Sequence, residues 1–232
     1  MILAVDIGNS NLVIGGIQGE EILFEARLRT DATKTSDEYC IDLKMILEVY
    51  GVRQEDIEGA IFASVVPLVL NSVKTALKKL ALKQVLVVGS VAALREHKPP
   101  LIVVDMGTAP TMIVLDESGA LIGGSIRPGV KISMDALTDR TALLPGLQLD
   151  QPKRAIGRNT IDCMRSGIMM GAAGTLDGMV ERMEAERGQK TTGVVTGGIA
   201  KFVIPMCKTP VVYDKDLLLK GLAMLYRDNV KN

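Results

Sequence analysis

The sequence of 232 residues contains no tryptophan, one histidine and three cysteines, and only 3% of its residues are aromatic. The cysteines, Cys40, Cys163 and Cys207, are too few and too dispersed for a disulfide framework or a zinc site. They are typical of small buried residues in a reducing compartment. The single histidine, His97, lies among charged residues and prolines, which favours a solvated position over a catalytic one.

The chain also lacks net charge and long apolar runs. Lysine plus arginine and aspartate plus glutamate are equal at 27 each, and no basic stripe interleaved with aromatics is present. This pattern indicates no nucleic-acid surface. No apolar run is long enough to cross a bilayer, and the first residues form no positively charged leader. We therefore expect a soluble, cytoplasmic protein without nucleic-acid or membrane partners.

The first half of the chain predicts three strands and then alternating helices and strands. Its first helix is predicted to begin at a capping box formed by Thr35 and Glu38 and to stop at Gly51. Pro67 predicts the start of the second helix. The predicted strands are residues 2–5, 12–17, 21–29, 60–66 and 84–88.

The second half repeats this order from residue 101 onward. Helices are predicted after Gly129, from Asn159, after Gly198 and at residues 216–226. The predicted strands are residues 101–104, 111–115, 120–126, 193–196 and 210–213. The duplicated β-β-β-α-β-α order predicts an α/β protein of two lobes, residues 1–98 and 99–232, with a cleft between them.

In each half the first strand runs directly into an Asp-x-Gly turn, at Asp6 and at Asp105. Glycine permits backbone conformations closed to other residues and lets a ligand approach the main chain. Consecutive N–H groups in the turn bind anions, and the aspartate holds a cation against a phosphate. One such turn is an ordinary hairpin, but two at equivalent positions predict a nucleotide-phosphate site. Gly197 and Gly198, after a further strand, add a third backbone-lined element.

These motifs resemble those of the actin-like ATPase (ASKHA) superfamily, and more narrowly those of the type III pantothenate kinases. The similarity covers nearly the whole chain. The motifs that carry it are residues 6–13, 105–111, 123–129, 135–137, 141–145, 157–160, 166–167 and 196–198. The resemblance implies two RNase H-like lobes that handle ATP.

The resemblance further implies ATP-dependent phosphorylation of pantothenate, the first committed step toward coenzyme A, by a homodimer. The implied cofactors are ATP, magnesium, and potassium or ammonium. By position, Asp105 would bind the monovalent cation, Asp6 would hold magnesium directly or through water, and Thr160 would contact pantothenate. The implied ATP-binding residues are Asp6, Ile7, Gly8, Asn9, Ser10, Asn11, Leu12, Val13, Thr108, Gly197 and Gly198.

Between Gly89 and Leu101 the chain departs from the family pattern. The resemblance implies a long segment there that contacts pantothenate and carries a Gly-Ala-Asp-Arg motif, whose aspartate is the catalytic base. This sequence has no such segment, so no catalytic residue is assigned. Three explanations are open: the segment is missing from the sequence only, the protein is a variant that binds ATP but phosphorylates pantothenate poorly, or Asp135 or Asp139 substitutes. The alternative function is a non-catalytic nucleotide-binding homologue that acts as a partner or regulatory protein.

Two further features leave their roles open. Arg127 precedes Pro128 and Gly129, where a contact to phosphate, to a partner subunit or to a surface carboxylate is equally compatible with the sequence. The glycines at 167, 171 and 174 recur at helical spacing. This spacing favours close helix–helix contact, for example at a dimer interface, over chemistry.

Overall fold

The computed structural model describes residues 1–64, 66–80, 85–88 and 97–230. These residues form two compact units, each built on its own five-stranded sheet. The first unit contains the described residues of Met1–Glu96 and of Asp216–Asn232, and the second contains His97–Lys215. The predictions for Val65, Gln84 and the segment 89–96 lie outside the described residues.

In the first unit, an antiparallel three-stranded hairpin leads into alternating helices and strands. The elements are β1 (Ile2–Ile7), β2 (Asn11–Gln18), β3 (Glu21–Arg29), α1 (Ser36–Val49), a 3-10 helix (Gln54–Asp56), β4 (Gly59–Ser64), α2 (Pro67–Lys79) and β5 (Val85–Val88). The strand order is β3-β2-β1-β4-β5. In this sheet β1 is antiparallel to β2 and parallel to β4.

Helix α1 shows how local chemistry sets an element boundary. The Thr35 side chain accepts a hydrogen bond from the Glu38 N–H, and the Thr35 N–H donates to the Glu38 carboxylate at 2.8 Å. This reciprocal capping box satisfies N–H groups that a helix start leaves open. Gly51 has a left-handed φ of 66° just beyond the helix end. Both predicted ends of this helix are confirmed.

The second unit repeats the same architecture. Its elements are β6 (Leu101–Asp105), β7 (Thr111–Leu115), β8 (Leu121–Ile126), α3 (Val130–Arg140), α4 (Thr160–Arg187), β9 (Thr192–Thr196), α5 (Ala200–Val203), a 3-10 helix (Ile204–Met206) and β10 (Val211–Tyr213). The strand order is β8-β7-β6-β9-β10, which is the order of the first sheet. The predicted duplication of an α/β core is confirmed.

The last helix, α6 (Leu217–Val230), belongs to the first unit rather than to the expected lobe 99–232. It packs on β1 and β4, and its Leu222 and Tyr226 form a core cluster with Ile2 and Ile61. Leu219 covers Gly15, where an added Cβ would lie 2.9 Å from Leu219 Cδ1. The physical reason is that the opposite face of this sheet is already covered by α1 and α2, and α6 buries the remaining apolar face.

In the second unit, α4 and α5 cover one face of the sheet. Ile102 and Val104 of β6 pack in one core cluster with Met169, Ala172 and Leu176 of α4. The predicted close contact at the glycines of α4 is not made within the described chain. An added Cβ at positions 167, 171 and 174 would meet nothing within 4 Å. Within the described ranges, none of the helices has the length and apolar character needed to cross a bilayer.

Candidate nucleotide and cation site

The first corner is the turn between β1 and β2. The Gly8 N–H closes it by donating to the Asn11 carbonyl at 3.0 Å. Asn9, Ser10 and Asn11 are exposed, so this tip is open to a ligand. The predicted phosphate loop is therefore a surface turn held at both ends by strands of the sheet.

The strand residues beside this turn divide into two kinds. Ile7 and Leu12 are fully buried, so their side chains support the turn from the core and only their backbone can face a ligand. Asp6 and Val13 are only partly buried and lie opposite each other in the β1–β2 ladder. Asp6 is therefore the acidic side chain that the first unit presents beside the turn.

The second corner begins at Asp105, the last residue of β6. Burial raises the pKa of the Asp105 carboxyl. A carboxylate that is withdrawn from water without a compensating positive charge is costly, and a bound cation removes that cost. The surroundings of Asp105 therefore fit a cation-binding role.

The third motif packs directly on the second corner. Strand β9 runs parallel to β6 with Thr196 beside Asp105, and the Met106 N–H donates to the Thr196 carbonyl at 2.9 Å. Gly197 has a φ of +100°, and a Cβ there would lie 2.7 Å from backbone atoms of Met106. Only glycine fits this position. The turn that follows Asp105 is thus in direct backbone contact with Gly197. Gly198 is exposed beside this contact.

One expectation about these glycine-rich turns, an unusual backbone at the glycine of each Asp-x-Gly turn, is wrong. Gly8 and Gly107 do not adopt the left-handed backbone; at Gly8 an added Cβ would instead lie 3.2 Å from the Asn11 carbonyl oxygen. The helix after Gly198 has only four residues, so its dipole offers a phosphate little. The Gly8 turn thus supplies close backbone approach alone, whereas Gly197 combines close approach with an unusual φ.

Thr30, which follows the third strand of the first unit, was not singled out from the sequence, whereas its counterparts Arg127 and Gly129 in the second unit were. Thr30 Oγ1 donates to the Gly8 carbonyl at 2.6 Å, and the Thr30 N–H donates to the Ser10 carbonyl at 3.0 Å. In the second unit the Gly129 N–H donates to the Thr108 carbonyl at 3.1 Å. Thr108, which is half-buried, is thus held at its backbone. Thr30 directly follows the third strand of its unit, as Arg127 does in the second unit, and this repeated position could have indicated its role.

The structure also bears on Arg127. Its backbone N–H donates to the Pro110 carbonyl at 3.1 Å, and its Nη1 donates to the Pro128 carbonyl at the same distance. Burial lowers the pKa of the guanidinium group. Among the described residues no carboxylate pairs with it, so the surface ion pair considered from sequence is not formed there.

The residue implied for the substrate lies at the start of α4. Thr160 is the first residue of the helix and is exposed. The preceding Asn159 caps the helix, because its side-chain oxygen accepts a hydrogen bond from the Asp162 N–H at 2.9 Å. In the part of the chain that the structure describes, no group of three histidine, cysteine, aspartate or glutamate side chains could hold a metal ion. Asp6 and Asp105 therefore do not belong to any such group among the described residues.

Two sheets of identical strand order, each with an acidic corner after its first strand, define an actin-like ATPase fold. Solved structures agree. The (R)-2-hydroxyglutaryl-CoA dehydratase component A of Acidaminococcus fermentans is similar with a TM-score of 0.64 at 14% identity, over 100% of this chain and 99% of that one. MreB5 of Spiroplasma citri bound to ADP is similar with a TM-score of 0.61 at 10% identity, over 100% and 98%.

Sequence comparison narrows this class to one family. The model of the type III pantothenate kinase family matches residues 2–93 and 86–182. The chain is 35% identical to a type III pantothenate kinase of Halalkalibacterium halodurans, over 99% of this chain and all of that protein. It is 36% identical to one of Moorella thermoacetica with the same coverage. The chain belongs to the type III pantothenate kinase family.

The comparisons also bear on the missing segment. The alignment with the Halalkalibacterium protein extends over 254 positions on a chain of 232 residues, so at least 22 positions have no counterpart here. The family model matches in two pieces that meet at residues 86–93. That break falls at the place where the sequence analysis located the departure from the family.

Proposed function

We propose that this protein transfers a phosphoryl group from ATP to pantothenate, giving 4'-phosphopantothenate in the first step of coenzyme A biosynthesis. The observation that carries the proposal is the match to type III pantothenate kinases over 99% of the chain. The duplicated sheet with an acidic corner in each copy supports it, because phosphoryl transfer asks a protein mainly for positioning and charge neutralisation. In keeping with this biosynthetic role, we propose a cytoplasmic location.

For ATP we propose that both corners bind phosphate groups. The exposed turn at Asn9, Ser10 and Asn11 offers polar side chains and backbone, and Gly8 lets the turn close tightly. Buried Ile7 and Leu12 would contribute through the shape of the backbone. In the second unit, Thr108, Gly197 and Gly198 supply a backbone-lined surface around the corner at Asp105.

The proposed cation roles follow from the two aspartates. Asp105, whose pKa burial raises, would be the ligand of a monovalent cation, potassium or ammonium. Asp6, half-buried beside the phosphate turn, would hold magnesium directly or through water. When bound, these cations neutralise charge that accumulates on the transferred phosphoryl group. The chain's own contribution is to hold each carboxylate beside its turn.

On the acceptor side we propose that Thr160 contacts pantothenate. Its exposed position in the first turn of α4 suits the carboxylate of this substrate, because a helix N-terminus favours negative charge. No residue of this chain is proposed as the catalytic base. Positioning and charge neutralisation remain, and general-base assistance alone is typically worth about 10²–10⁴ in rate.

We propose that the protein is a homodimer that uses the β8 side of the second unit. β8 is an edge strand, and its Leu121, Ile122 and Ile126 are 50%, 51% and 74% exposed. Contiguous exposed apolar side chains on an edge strand are typical of interfaces. The open glycine face of α4 described above would let a second helix approach closely.

The proposal is tested by measuring ADP release from ATP with the purified protein. We expect ADP release that depends on pantothenate and on potassium or ammonium, with sodium as the matched control cation. Release that is equal with and without pantothenate contradicts the proposal. ATP affinity measured in parallel shows separately whether the nucleotide-binding part is correct.

A further inference from the structure

The two units share a contact that the proposed function does not use. In each, the residue directly after the third strand donates its backbone N–H to the residue directly before the second strand. These bonds are Thr30 to Ser10 at 3.0 Å and Arg127 to Pro110 at 3.1 Å. Each bond therefore ties the turn between the first and second strands to the end of the third strand.

A second bond follows in both units and reaches deeper into the corner. The Thr30 hydroxyl donates to the Gly8 carbonyl at 2.6 Å, and in the other unit the Gly129 N–H donates to the Thr108 carbonyl at 3.1 Å. A Cβ at Gly129 would lie 2.3 Å from the Thr108 carbonyl oxygen, so this backbone approach is tight. A carbonyl of the turn is therefore bonded in both units, by a side-chain hydroxyl in the first and by a backbone N–H in the second.

Thr30 is itself held in place from the core. The Tyr39 hydroxyl donates to the Asp31 carbonyl at 2.8 Å and accepts from the Asp31 N–H at 3.0 Å. Tyr39 is fully buried in α1, so its ring has little freedom. The peptide groups on either side of Asp31 are therefore fixed to the helix, and Thr30 precedes them directly.

We propose that Thr30 is a positioning residue for nucleotide binding: it holds the Gly8–Asn11 turn in the shape that receives phosphate, and Tyr39 fixes Thr30 through Asp31. The inference rests on the proposed function, since it assumes that this turn binds ATP. A turn fixed before the ligand arrives avoids paying the ordering entropy on binding, which raises affinity without any direct contact.

The test compares ATP affinity by isothermal titration calorimetry in the wild type and four variants of the whole chain. Thr30→Val removes the hydroxyl and keeps the shape, and we expect affinity about three- to tenfold weaker, as for one lost hydrogen bond. Thr30→Ser keeps the hydroxyl and should restore affinity to within about twofold of the wild type. Thr33→Val removes a nearby hydroxyl bond, from Thr33 Oγ1 to the Asp31 carboxylate at 2.6 Å, and should leave affinity unchanged.

If Thr30→Val binds ATP as well as the wild type, or if Thr30→Ser is as weak as Thr30→Val, the inference is wrong. Equal loss in Thr33→Val also overturns it, because the effect would then be general to the loop. Tyr39→Phe keeps the test decisive should Thr30→Val fail to fold. It removes only the hydroxyl, and unchanged affinity there contradicts the proposed chain of contacts. A wild-type protein that does not bind ATP would instead refute the proposed function.

Discussion

Gly197 lies against the backbone of Met106 so closely that a Cβ on it would be 2.7 Å from three Met106 backbone atoms. Met106 and Gly197 directly follow the adjacent parallel strands β6 and β9. The Met106 N–H donates a hydrogen bond to the carbonyl of Thr196, the residue before Gly197. The position combines a φ of +100° with no room for a side chain. It joins the turn at Gly197 and Gly198 to the corner that carries Asp105.

Gly197→Ala is expected to destabilise the protein by at least about 2 kcal/mol, because backbone strain and a steric clash act together. Urea unfolding measures this free energy. Gly188→Ala is the matched control. Gly188 has a φ of +69° but nothing within 4 Å of an added Cβ, so only the backbone cost of about 1 kcal/mol applies. Equal losses in the two variants would contradict the role assigned to the Met106 contact.

Asp105→Asn is expected to stabilise the protein at pH 7 while removing its response to potassium. Because the folded pKa of Asp105 is raised, the folded state keeps its proton at a pH where the unfolded chain has lost it. The free energy of unfolding therefore falls as the pH rises from the usual carboxyl pKa to the raised pKa of the folded protein. Above the raised pKa the loss of stability is complete and stays constant. Thermal unfolding without potassium or ammonium should show a higher Tm for the variant at pH 7 and no gain below the usual carboxyl pKa.

Asp116→Asn is the matched control, because the same substitution is expected to change the Tm at pH 7 in the opposite direction. Hydrogen bonds from Ser118 and Ala120 lower the pKa of Asp116, so its ionised form is favoured in the folded state. This variant should lower Tm at pH 7 and leave the potassium response intact. A Tm for Asp105→Asn that falls in the same way would show that Asp105 is not an uncompensated buried carboxylate.

Asp6→Asn is expected to weaken magnesium-dependent ATP binding by about tenfold or more, since it removes the carboxylate beside the first turn. Calorimetric titration with ATP, with and without magnesium, measures the effect. Asp56→Asn is a suitable control in the same unit, because Asp56 pairs with Arg53 in a 3-10 helix. Unchanged ATP affinity in Asp6→Asn would remove Asp6 from the site.

Ile126→Glu is expected to raise the dissociation constant of the dimer by at least about a hundredfold, because a charge would be buried without a partner. Light scattering after size-exclusion chromatography across a concentration series measures it. Leu68→Glu, at an equally exposed residue of α2, should leave the dimer unchanged. If both variants dimerise like the wild type, the β8 side is not the interface.

Restoring the missing segment tests the proposal that the chemistry lacks its base. Inserting between Gly89 and Leu101 the family segment that this sequence lacks should raise turnover by about 10²–10⁴. ATP affinity should stay the same. A glycine–serine insert of equal length is the control for chain length alone. Turnover that does not differ between the two inserts would show that the segment supplies no catalytic group.

Sequence reasoning was reliable where the cause of structure is local. The capping residues Thr35 and Asn159 start α1 and α4, and the alternating run 21–29 is strand β3 at its full length. These features depend on hydrogen bonds and side-chain periods within a few residues. The duplicated order of elements then determined the fold class.

What sequence could not predict depends on contacts between distant segments. The hydroxyl of Thr30 reaches Gly8 across 22 positions, and nothing in a single threonine indicates which carbonyl it will meet. Gly197 is one of 23 glycines, and its sequence context does not indicate that Met106 will pack against it. The apolar stripe of α6 predicts a buried helix face but not which of two sheets it covers.

The position of α6 determines when the core of the first unit can be completed during folding. The first unit contains the earliest residues of the chain, yet the α6 side chains that pack on one face of its sheet follow the whole second unit in sequence. A chain that still lacks α6 would leave Ile2, Ala4 and Ile61 without these apolar neighbours, and exposed apolar surface of this kind favours aggregation. The core of the first unit is therefore complete only when its first strands and the last helix have met.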